Sequence, residues 1–287
     1  MRQPALFGAL LAVLLLDLLP IGWGALISVR QPLEAFAVPP RLWVMPTLEF
    51  HRAIWLEQGF ARFAANSLIV SGFTVLISVP FGSLAGYGLA RMRGRGAGAA
   101  MALLLAMRSL PPMLLVIPYY ALARSLRLID TYGILVVALA ALNQPFVVWL
   151  MRGFFLDLPP ELEDAALVDG ATRWQAFRLV LLPAVRPGLA ITTLFSLLFA
   201  YNEFALALVL TGPHTRTLPV ALASEAGDDV AYWSLSAAAA IGVMLPAVLL
   251  ALALQGALRR RFAARRLSAP QPRTPPAAAA APAPRSG

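Results

Sequence analysis

The sequence DLPPELEDAALVDGATRWQAFRLVLLPAVRP occupies residues 157–187, between two long apolar stretches. Two consecutive prolines precede three acidic residues, which is typical of a helix start because carboxylates complement the positive end of the helix dipole. Gly170 is placed to end this first helix in a left-handed conformation. Thr172 and Gln175 then have the spacing of a capping box that starts a second helix. The stretch therefore predicts two short helices, the first of them acidic.

This loop is too long for a simple turn and predicts a docking surface. Trp174 and Phe177 give its second helix an apolar face, and Pro183 ends or kinks the segment before the next apolar stretch. The alternative is an amphipathic helix resting on lipid headgroups, but such helices carry basic residues on their polar face. The first helix here is acidic, which favours docking of a protein partner.

The composition of the 287-residue chain indicates a membrane protein. Hydrophobic residues make up 60% of the chain and charged residues 13%, about half of the charged fraction of a soluble domain. The mean hydropathy is +0.75. A net charge of +9 is compatible with nucleic-acid binding, but the arginines lie in short clusters between apolar stretches. We therefore predict the lipid bilayer as a partner, and no nucleic acid.

Missing residue types exclude several kinds of chemistry. The chain has no cysteine and no lysine, and its only histidines are His51 and His214. Thiolate metal sites, cysteine nucleophiles, Schiff bases and a phosphate-binding loop of the Walker A type are therefore excluded. We predict no catalytic residue, no metal site and no cofactor bound by this chain. An intramembrane enzyme is the weakest alternative.

Six apolar stretches are long enough to cross a bilayer as helices of about 20 residues. They lie at residues 6–29, 64–89, 97–122, 132–151, 188–210 and 234–258. The first stretch is too long for a secretory signal and has no clear cleavage site, so we predict that it is retained. The predicted fold class is an all-α membrane protein with six transmembrane helices.

The distribution of arginines predicts the orientation of these helices. With the amino terminus inside, the inner segments hold 15 of the 23 arginines and the outer segments hold 7. The positive-inside rule then places both termini in the cytoplasm. The remaining arginine, Arg108, lies within a span, where we expect an ion pair or snorkelling. We divide the chain into residues 1–63 (first helix and outer segment), 64–262 (core with the loop) and 263–287 (a Pro/Ala-rich tail predicted to be disordered).

The loop resembles the EAA loop of ABC-importer permeases. The family pattern is E-A-A, three residues, Gly, nine residues, then I-x-L-P, and the spacing here agrees at every anchor. The matching residues are Asp164, Ala165, Ala166, Gly170, Val180, Leu182 and Pro183. Asp replaces Glu at position 164 and Val replaces Ile at position 180. Asp169 and Ala171 complete a D-G-A sequence that is also similar to the family.

The resemblance extends beyond the loop, over roughly residues 60–255. Three further motifs resemble the family's N-S, L-P-P and W-N-E-F, namely Asn66-Ser67, Leu110-Pro111-Pro112 and Tyr201-Asn202-Glu203-Phe204. These motifs point to the carbohydrate-type, maltose-permease-like subunits, which implies a type I importer permease fold. The family's Gly-rich ending is replaced here by three consecutive arginines and the tail.

The resemblance implies that this chain is one subunit of a multi-subunit importer. Residues 163–170 would form a coupling helix seated in a cleft of a separate ATPase dimer, which would bind ATP and Mg. A second permease subunit, in a heterodimer, and an extracellular solute-binding protein would complete the importer in the bacterial cytoplasmic (inner) membrane. This chain would be a transport subunit and not an enzyme. The residues implied in ATPase coupling are Glu163, Asp164, Ala165, Ala166, Asp169, Gly170, Ala171 and Pro183.

Polar residues within the apolar stretches are candidates for the solute path, because each is costly in lipid. They are Asn143, Ser196, Tyr201, Asn202 and Glu203. Interhelical hydrogen bonding is the alternative for each of them, and we expect Asp17 to pair within the bundle. Amide and hydroxyl groups suit a sugar, oligosaccharide or polyol, and in particular an uncharged one.

Two rival functions stay open at this point. A permease of the same family for a polyamine, phosphonate or amino acid is one, although a polyamine would favour a more acidic path. A secondary transporter is the other, but it needs no acidic cytoplasmic dock and more often carries ion-coupling carboxylates near the midplane. The outer segments 30–62 and 211–232 are predicted to receive the binding protein, the latter with Glu225, Asp228 and Asp229.

Overall fold

The computed structural model describes residues 3–35, 37, 45–224 and 231–267, which form helices and connecting segments without a β-strand. The first seven helices are α1 (Gln3–Ile27), α2 (Pro32–Ala35), α3 (Glu49–Arg52), α4 (Phe60–Arg91), α5 (Arg95–Arg108), α6 (Pro112–Ser125) and α7 (Tyr132–Leu156). The next seven are α8 (Glu161–Val168), α9 (Arg173–Gln175), α10 (Leu182–Ala184), α11 (Arg186–Tyr201), α12 (Ala205–Leu210), α13 (Leu218–Ser224) and α14 (Ala231–Leu267). Two π-helical turns, Ala53–Glu57 and Ala176–Leu181, continue α3 and α9.

Helices α4 and α7 form the centre of the bundle, and α11 packs against both. Their close approach depends on glycines. A Cβ at Gly86 of α4 would lie 2.9 Å from the backbone nitrogen of Arg152 and 3.0 Å from the carbonyl oxygen of Val148. A row of buried small hydroxyl residues shares the interior of α4: Ser67, Ser71, Thr74, Ser78 and Ser83. Small residues let membrane helices pack closely, where dispersion replaces the missing hydrophobic driving force.

The all-α fold class is confirmed, with four to six spans. Four segments are long and apolar enough to cross a membrane, namely Leu6–Ile27, Phe60–Arg91, Tyr132–Leu156 and Tyr232–Leu249. The count rises to six if each of two sharply bent helix pairs forms one span. Helix α1 is the outlier, because its apolar window is entirely unburied and α14 is its main contact.

The continuous third span predicted at residues 97–122 is wrong. α5 and α6 meet at an angle of 86°. Pro111 and Pro112 explain the bend, because proline cannot donate a ladder hydrogen bond and it disfavours helical geometry in the preceding residue. Pro112 is the first residue of α6, a position where its missing N–H costs nothing.

The continuous fifth span predicted at residues 188–210 is also wrong. α11 ends at Tyr201 and α12 begins at Ala205. In the interruption, the Glu203 carboxylate accepts hydrogen bonds from the backbone N–H groups of Leu206 and Ala207, at 3.1 and 3.2 Å. A side chain that satisfies the free N–H groups of a helix start stabilises the break.

Each end of the bundle is held by its own set of contacts. At one end, Asn66 at the start of α4 donates to the carbonyl oxygens of His214 and Arg216, and Ser67 accepts from the backbone N–H of Leu218. At the other end, the far end of α4 contacts the loop of residues 157–187. We call these the 211–218 end and the loop end.

Asp130 anchors the 211–218 end. Its carboxylate accepts hydrogen bonds from the backbone N–H groups of Gly212, His214 and Thr215 and from the Thr215 hydroxyl, at 2.7–3.2 Å. Burial alone would raise the pKa of Asp130, but these hydrogen bonds outweigh it and lower the pKa to about 2. The segment is therefore held by an ionised carboxylate at neutral pH.

The structure departs from the sequence-based expectations at Asp17 and at the start of the tail, and it leaves a third set of residues untested. Asp17 is exposed and has no partner among the residues that the structure describes, so it does not pair within this chain's described bundle. α14 extends to Leu267, so the first five residues of the predicted disordered tail are helical. Glu225, Asp228 and Asp229 and the rest of the tail, 268–287, lie outside the described residues.

Candidate functional site

The first loop helix, α8, begins and ends as its sequence predicts. Its first turn carries Glu161, Glu163 and Asp164. Gly170 has a φ of +88°, a left-handed conformation that side chains other than glycine rarely adopt. No atom lies within 4 Å of the position that a Cβ at Gly170 would take. The requirement for glycine is therefore conformational and not a matter of space.

The second loop helix also begins as predicted. The backbone N–H of Thr172 donates to Gln175 Oε1 at 2.8 Å, and the backbone N–H of Gln175 donates to Thr172 Oγ1 at 3.3 Å. This reciprocal pair is the expected capping box. The helix continues through a π-helical turn to α10, which contains Pro183, and the chain then bends by 78° into α11.

Glu163 fastens α8 to the loop end of α4. Its carboxylate accepts hydrogen bonds from the Tyr87 hydroxyl at 2.5 Å and from Arg91 Nε at 2.6 Å. Arg91 Nη1 also donates to the carbonyl oxygen of Phe155, at the end of α7. Only 7% of Glu163 is exposed. One ion pair, largely protected from water, thus joins the loop to two core helices.

The electrostatics keep Glu163 charged. Burial on its own would raise the pKa of this carboxyl group, because it penalises the ionised form. The hydrogen bonds from Tyr87 and Arg91, together with the positive charges of Arg91 and Arg173, outweigh burial and lower the pKa below its ordinary value of 4.5. Glu163 is therefore ionised at neutral pH, as the ion pair requires.

An aromatic cluster reinforces this joint. The Tyr87 ring lies 5.6 Å from Phe155 and 5.1 Å from Phe177, and Trp174 stacks on Phe177 at 5.6 Å. These rings come from α4, α7 and the second loop helix. Aromatic pairs at such distances add to the energy of burial. The loop therefore packs on the bundle through aromatic contacts with both α4 and α7.

The two faces of α8 have different environments. Glu163 and Ala166 are buried, whereas Asp164, Ala165 and Asp169 are exposed. Val168, beside them, is 86% exposed. Three more large apolar side chains of the loop are exposed, Leu162, Trp174 and Leu179. We call the exposed residues 164, 165, 168, 169, 174 and 179 the outer loop face. It combines carboxylates with exposed apolar groups, of which Trp174 is also in contact with Phe177.

The remaining coupling residues are placed around this face. Gly170 itself is exposed, while Ala171 and Pro183 are half-buried. The backbone N–H of Ala171 donates to the carbonyl oxygen of Ala166 at 3.0 Å, which closes the end of α8. The structure thus gathers all eight sequence-predicted coupling residues in one loop. Their contact with a partner chain stays a prediction.

Two of the predicted solute-path residues meet in the middle of the bundle. Asn143 of α7 donates to Ser196 of α11, and more weakly to Ser78 of α4 at 3.4 Å. The two serine hydroxyls lie 3.1 Å apart, and all three residues are fully buried. Ser78 was missed by sequence reasoning, because a serine in an apolar stretch has no distinguishing pattern. The three residues link the three core helices.

The other three predicted path residues lie elsewhere. The Tyr201 hydroxyl donates to the carbonyl oxygen of Val243 at 3.3 Å, and the tyrosine is buried. Asn202 is exposed and donates to the carbonyl oxygen of Leu198. Glu203 caps α12, as described above. The structure does not bring these residues together with Asn143 and Ser196, and a role in a path stays a prediction for all five.

Comparisons with known proteins agree on one kind of protein. Residues 78–264 match the family described as "Binding-protein-dependent transport system inner membrane component". The chain is 33% identical to a probable ABC transporter permease protein, y4oR, of Sinorhizobium fredii, over 83% of this chain and 86% of that protein. It is also 33% identical to the melibiose/raffinose/stachyose import permease protein MelC of Bacillus subtilis, over 74% and 79%.

The fold is similar to that of a solved transporter. A chain in the crystal structure of a bacterial ABC transporter involved in the import of the acidic polysaccharide alginate matches with a TM-score of 0.70. The match covers 89% of this chain and 98% of that chain, at 23% sequence identity. At that identity the similarity concerns the fold.

Proposed function

The chain belongs to the family of binding-protein-dependent transport system inner membrane components, and we propose that it transports a sugar, oligosaccharide or polyol. The transport would be driven by an ATPase that docks on its outer loop face. It is a multi-pass membrane protein and a permease subunit of an ABC importer, a transport component without catalytic activity of its own. The MelC similarity supports the solute class. The outer loop face, held by Glu163, is the observation that carries the coupling role.

The ATPase would bind ATP and Mg on its own chain, since this chain has no lysine for a Walker A motif. The outer loop face suits such a partner because its apolar groups are exposed beside two carboxylates. Contiguous exposed apolar groups rimmed by polar residues mark interaction sites. The partner would be an ATPase dimer that meets this loop and the corresponding loop of a second, different permease subunit.

Movement of the ATPase would reach the bundle through the Glu163 joint. A force on α8 is passed to α4 by the ion pair with Arg91 and to α7 by the aromatic cluster. α4, α7 and α11 pack together, so they would tilt as a rigid body between inward-open and outward-open states. Asn143, Ser196, Tyr201, Asn202 and Glu203 remain the candidates for residues that the solute meets.

The orientation follows from the same proposal. The loop end would lie in the cytoplasm, with both termini, because the arginine count favours that side. The 211–218 end would then face outward, and an extracellular solute-binding protein would deliver the solute there. The rigid anchoring of this end by Asp130 and Asn66 supports a surface of fixed shape.

Substitution of Gly170 by leucine tests the coupling role. The new side chain has space but must adopt a left-handed backbone, which costs about 1–2 kcal/mol and shifts the end of α8. We expect the complete importer, reconstituted in vesicles, to assemble but to lose most ATP-driven sugar uptake while ATP hydrolysis continues. Gly59→Leu is the matched control, because Gly59 has a φ of +77° and equal space away from the loop.

Normal uptake by Gly170→Leu, with its ATPase still bound, contradicts the coupling role. Uptake by wild type that needs no ATPase indicates a secondary transporter instead. ATP-driven uptake of a polyamine, phosphonate or amino acid, but of no sugar, contradicts the solute class and leaves the coupling role standing.

A further inference from the structure

Arg108 ends α5 without an acidic partner. Residue 108 is exposed, and none of the ion pairs between described residues involves it. Its guanidinium carbon instead lies 5.0 Å from the centre of the Phe146 ring and 5.3 Å from that of Phe199. An ion pair or snorkelling was expected for this arginine. Contact with two aromatic rings stabilises the cation but leaves the in-plane N–H groups free to donate.

These residues line a cavity. Its volume is about 520 Å³, and its walls are Arg108, Phe146, Trp149, Leu150, Phe195, Leu198 and Phe199. The volume lies in the range of small-molecule sites, roughly 300–1,000 Å³, which are mostly apolar with a few placed polar groups. Here the one charged group is Arg108. Phe195 and Trp149 are about half exposed, so their rings are available for contact.

The cavity lies where both interrupted spans meet. α5 runs about 20 Å from its start to Arg108, at a rise of about 1.5 Å per residue. With the start of α5 at the cytoplasmic surface, as proposed above, Arg108 would lie inside a membrane about 30 Å thick. The interruption that follows, at residues 109–111, is exposed. Phe199 closely precedes the interruption between α11 and α12, and α12 packs against α6. Exposed non-helical backbone at membrane depth is tolerated where it lines a water-filled cavity or meets protein, and discontinuous helices form solute sites in transporters.

We propose that this cavity binds a sugar that carries an anionic group, with Arg108 pairing the anion and the aromatic rings contacting the apolar face of the sugar ring. The proposal rests on the sugar-transport function proposed above and narrows it to acidic sugars, in place of the uncharged solute that the amide and hydroxyl residues of the spans favour. A guanidinium binds a carboxylate, sulfate or sulfonate with charge-assisted hydrogen bonds. The aromatic rings on two sides keep the guanidinium in place, so little side-chain freedom is lost on binding.

Uptake by the complete importer, reconstituted in vesicles with its ATPase, second permease and binding protein, tests the proposal. The probes are two labelled disaccharides, trehalose (neutral) and one that contains glucuronic acid (acidic). We expect wild type to import the acidic disaccharide. Arg108→Gln should lower this uptake about 10- to 100-fold, as expected for loss of a charged hydrogen-bond donor, and change any trehalose uptake by less than about twofold.

Two variants control for folding and for general charge effects. Arg108→Lys keeps the positive charge and should retain more of the acidic uptake than Arg108→Gln. Arg124→Gln removes an exposed arginine from α6, away from the cavity, and should behave as wild type. The subunits should co-purify in normal amounts for all three variants, and Arg124→Gln should also keep the basal ATP hydrolysis of wild type.

Each contrary result has a distinct meaning. Import of trehalose but not of the acidic disaccharide overturns the anion site and leaves the sugar function standing. Equal loss of both uptakes in Arg108→Gln, or loss of the second permease from the complex, overturns the site because Arg108 is then a structural or subunit contact. Import of neither disaccharide by wild type overturns the acidic-sugar site, whereas the sugar class is contradicted only if no sugar or polyol is taken up.

Discussion

Glu163 and Asp164 are adjacent in the sequence but have different environments. Asp164 occupies the first position of the E-A-A pattern and is exposed, while Glu163 precedes the pattern and is buried against Arg91 and Tyr87. Successive helical residues lie on different faces, so one carboxylate can hold the loop while the next faces outward. The sequence predicted both as coupling residues and did not distinguish their roles, because Arg91 is distant along the chain.

Glu163→Gln should loosen α8. Glutamine is nearly the same size, but it loses the negative charge that Arg91 pairs with. We expect the loop helix to be destabilised by about 1.5 kcal/mol, which corresponds to about tenfold faster hydrogen exchange of its amides in the detergent-solubilised protein. Glu161→Gln is the control, because Glu161 is exposed on the same helix. Equal protection of α8 in both variants rules out the Glu163 joint.

The same joint should respond to pH with a definite sign. The pKa of Glu163 is lower in the folded loop than its ordinary value of 4.5, so its ion pair is fully present above pH 4.5 and is lost as the pH falls through the lower, folded pKa. In wild type, the hydrogen-exchange protection of the α8 amides, corrected for the intrinsic exchange rate, should therefore be constant above pH 4.5 and should fall as the pH drops through the folded pKa of Glu163. The groups that face the carboxylate are Arg91, Arg173 and Tyr87. In Glu163→Gln the part of this pH dependence that comes from the Arg91 ion pair should disappear, and only the contribution of the other first-turn carboxylates, Glu161 and Asp164, should remain.

At the scale of elements, local signals predicted local features. The signals at Gly170 and in the Thr172–Gln175 capping box act on backbone within a few residues. The end of α8 and the start of α9 could therefore be predicted from the sequence, and both are confirmed. The interruptions of the third and fifth apolar stretches were missed. Hydropathy averages over a window and does not register a bend, although Pro111-Pro112 was a visible signal. The break at Glu203 depends on the side chain capping α12, which a window average cannot show.

The packing of α4 on α7 supports a prediction about two glycines of one helix. Gly86→Ala should destabilise the bundle by about 1–3 kcal/mol, because its Cβ would press on the backbone of α7. Gly88→Ala should be neutral or slightly stabilising, because no atom lies within 4 Å and alanine has the higher helix propensity. Thermal unfolding in detergent measures both. Equal midpoints for the two variants contradict the close contact.

At the scale of the whole molecule, contacts between residues distant along the chain could not be predicted from the sequence. Arg91 pairs with Glu163, Asn66 contacts His214, and Asn143 shares a cluster with Ser78. Nothing local marks these partners, because each pair is brought together only when α4 packs against a part of the chain that is distant in sequence, namely α8, the 211–218 segment and α7. The pairings nevertheless decide which segments share an end. Residues 92–94 and the loop 157–187 lie at the loop end, and Asp130 lies with residues 211–218 at the other.

The side of the membrane on which each end lies can be measured directly, since the natural chain has no cysteine. Single cysteines are introduced as Glu161→Cys at the loop end and Ser125→Cys at the end of α6, both at exposed positions. In intact cells with a permeabilised outer membrane, a membrane-impermeant maleimide should label Ser125→Cys and leave Glu161→Cys unlabelled until the inner membrane is opened, because the arginine-rich loop end belongs in the cytoplasm. Ala138→Cys, fully buried in α7, should stay unlabelled throughout. Labelling of Glu161→Cys in intact cells reverses the orientation, and the ATPase could then not reach the outer loop face.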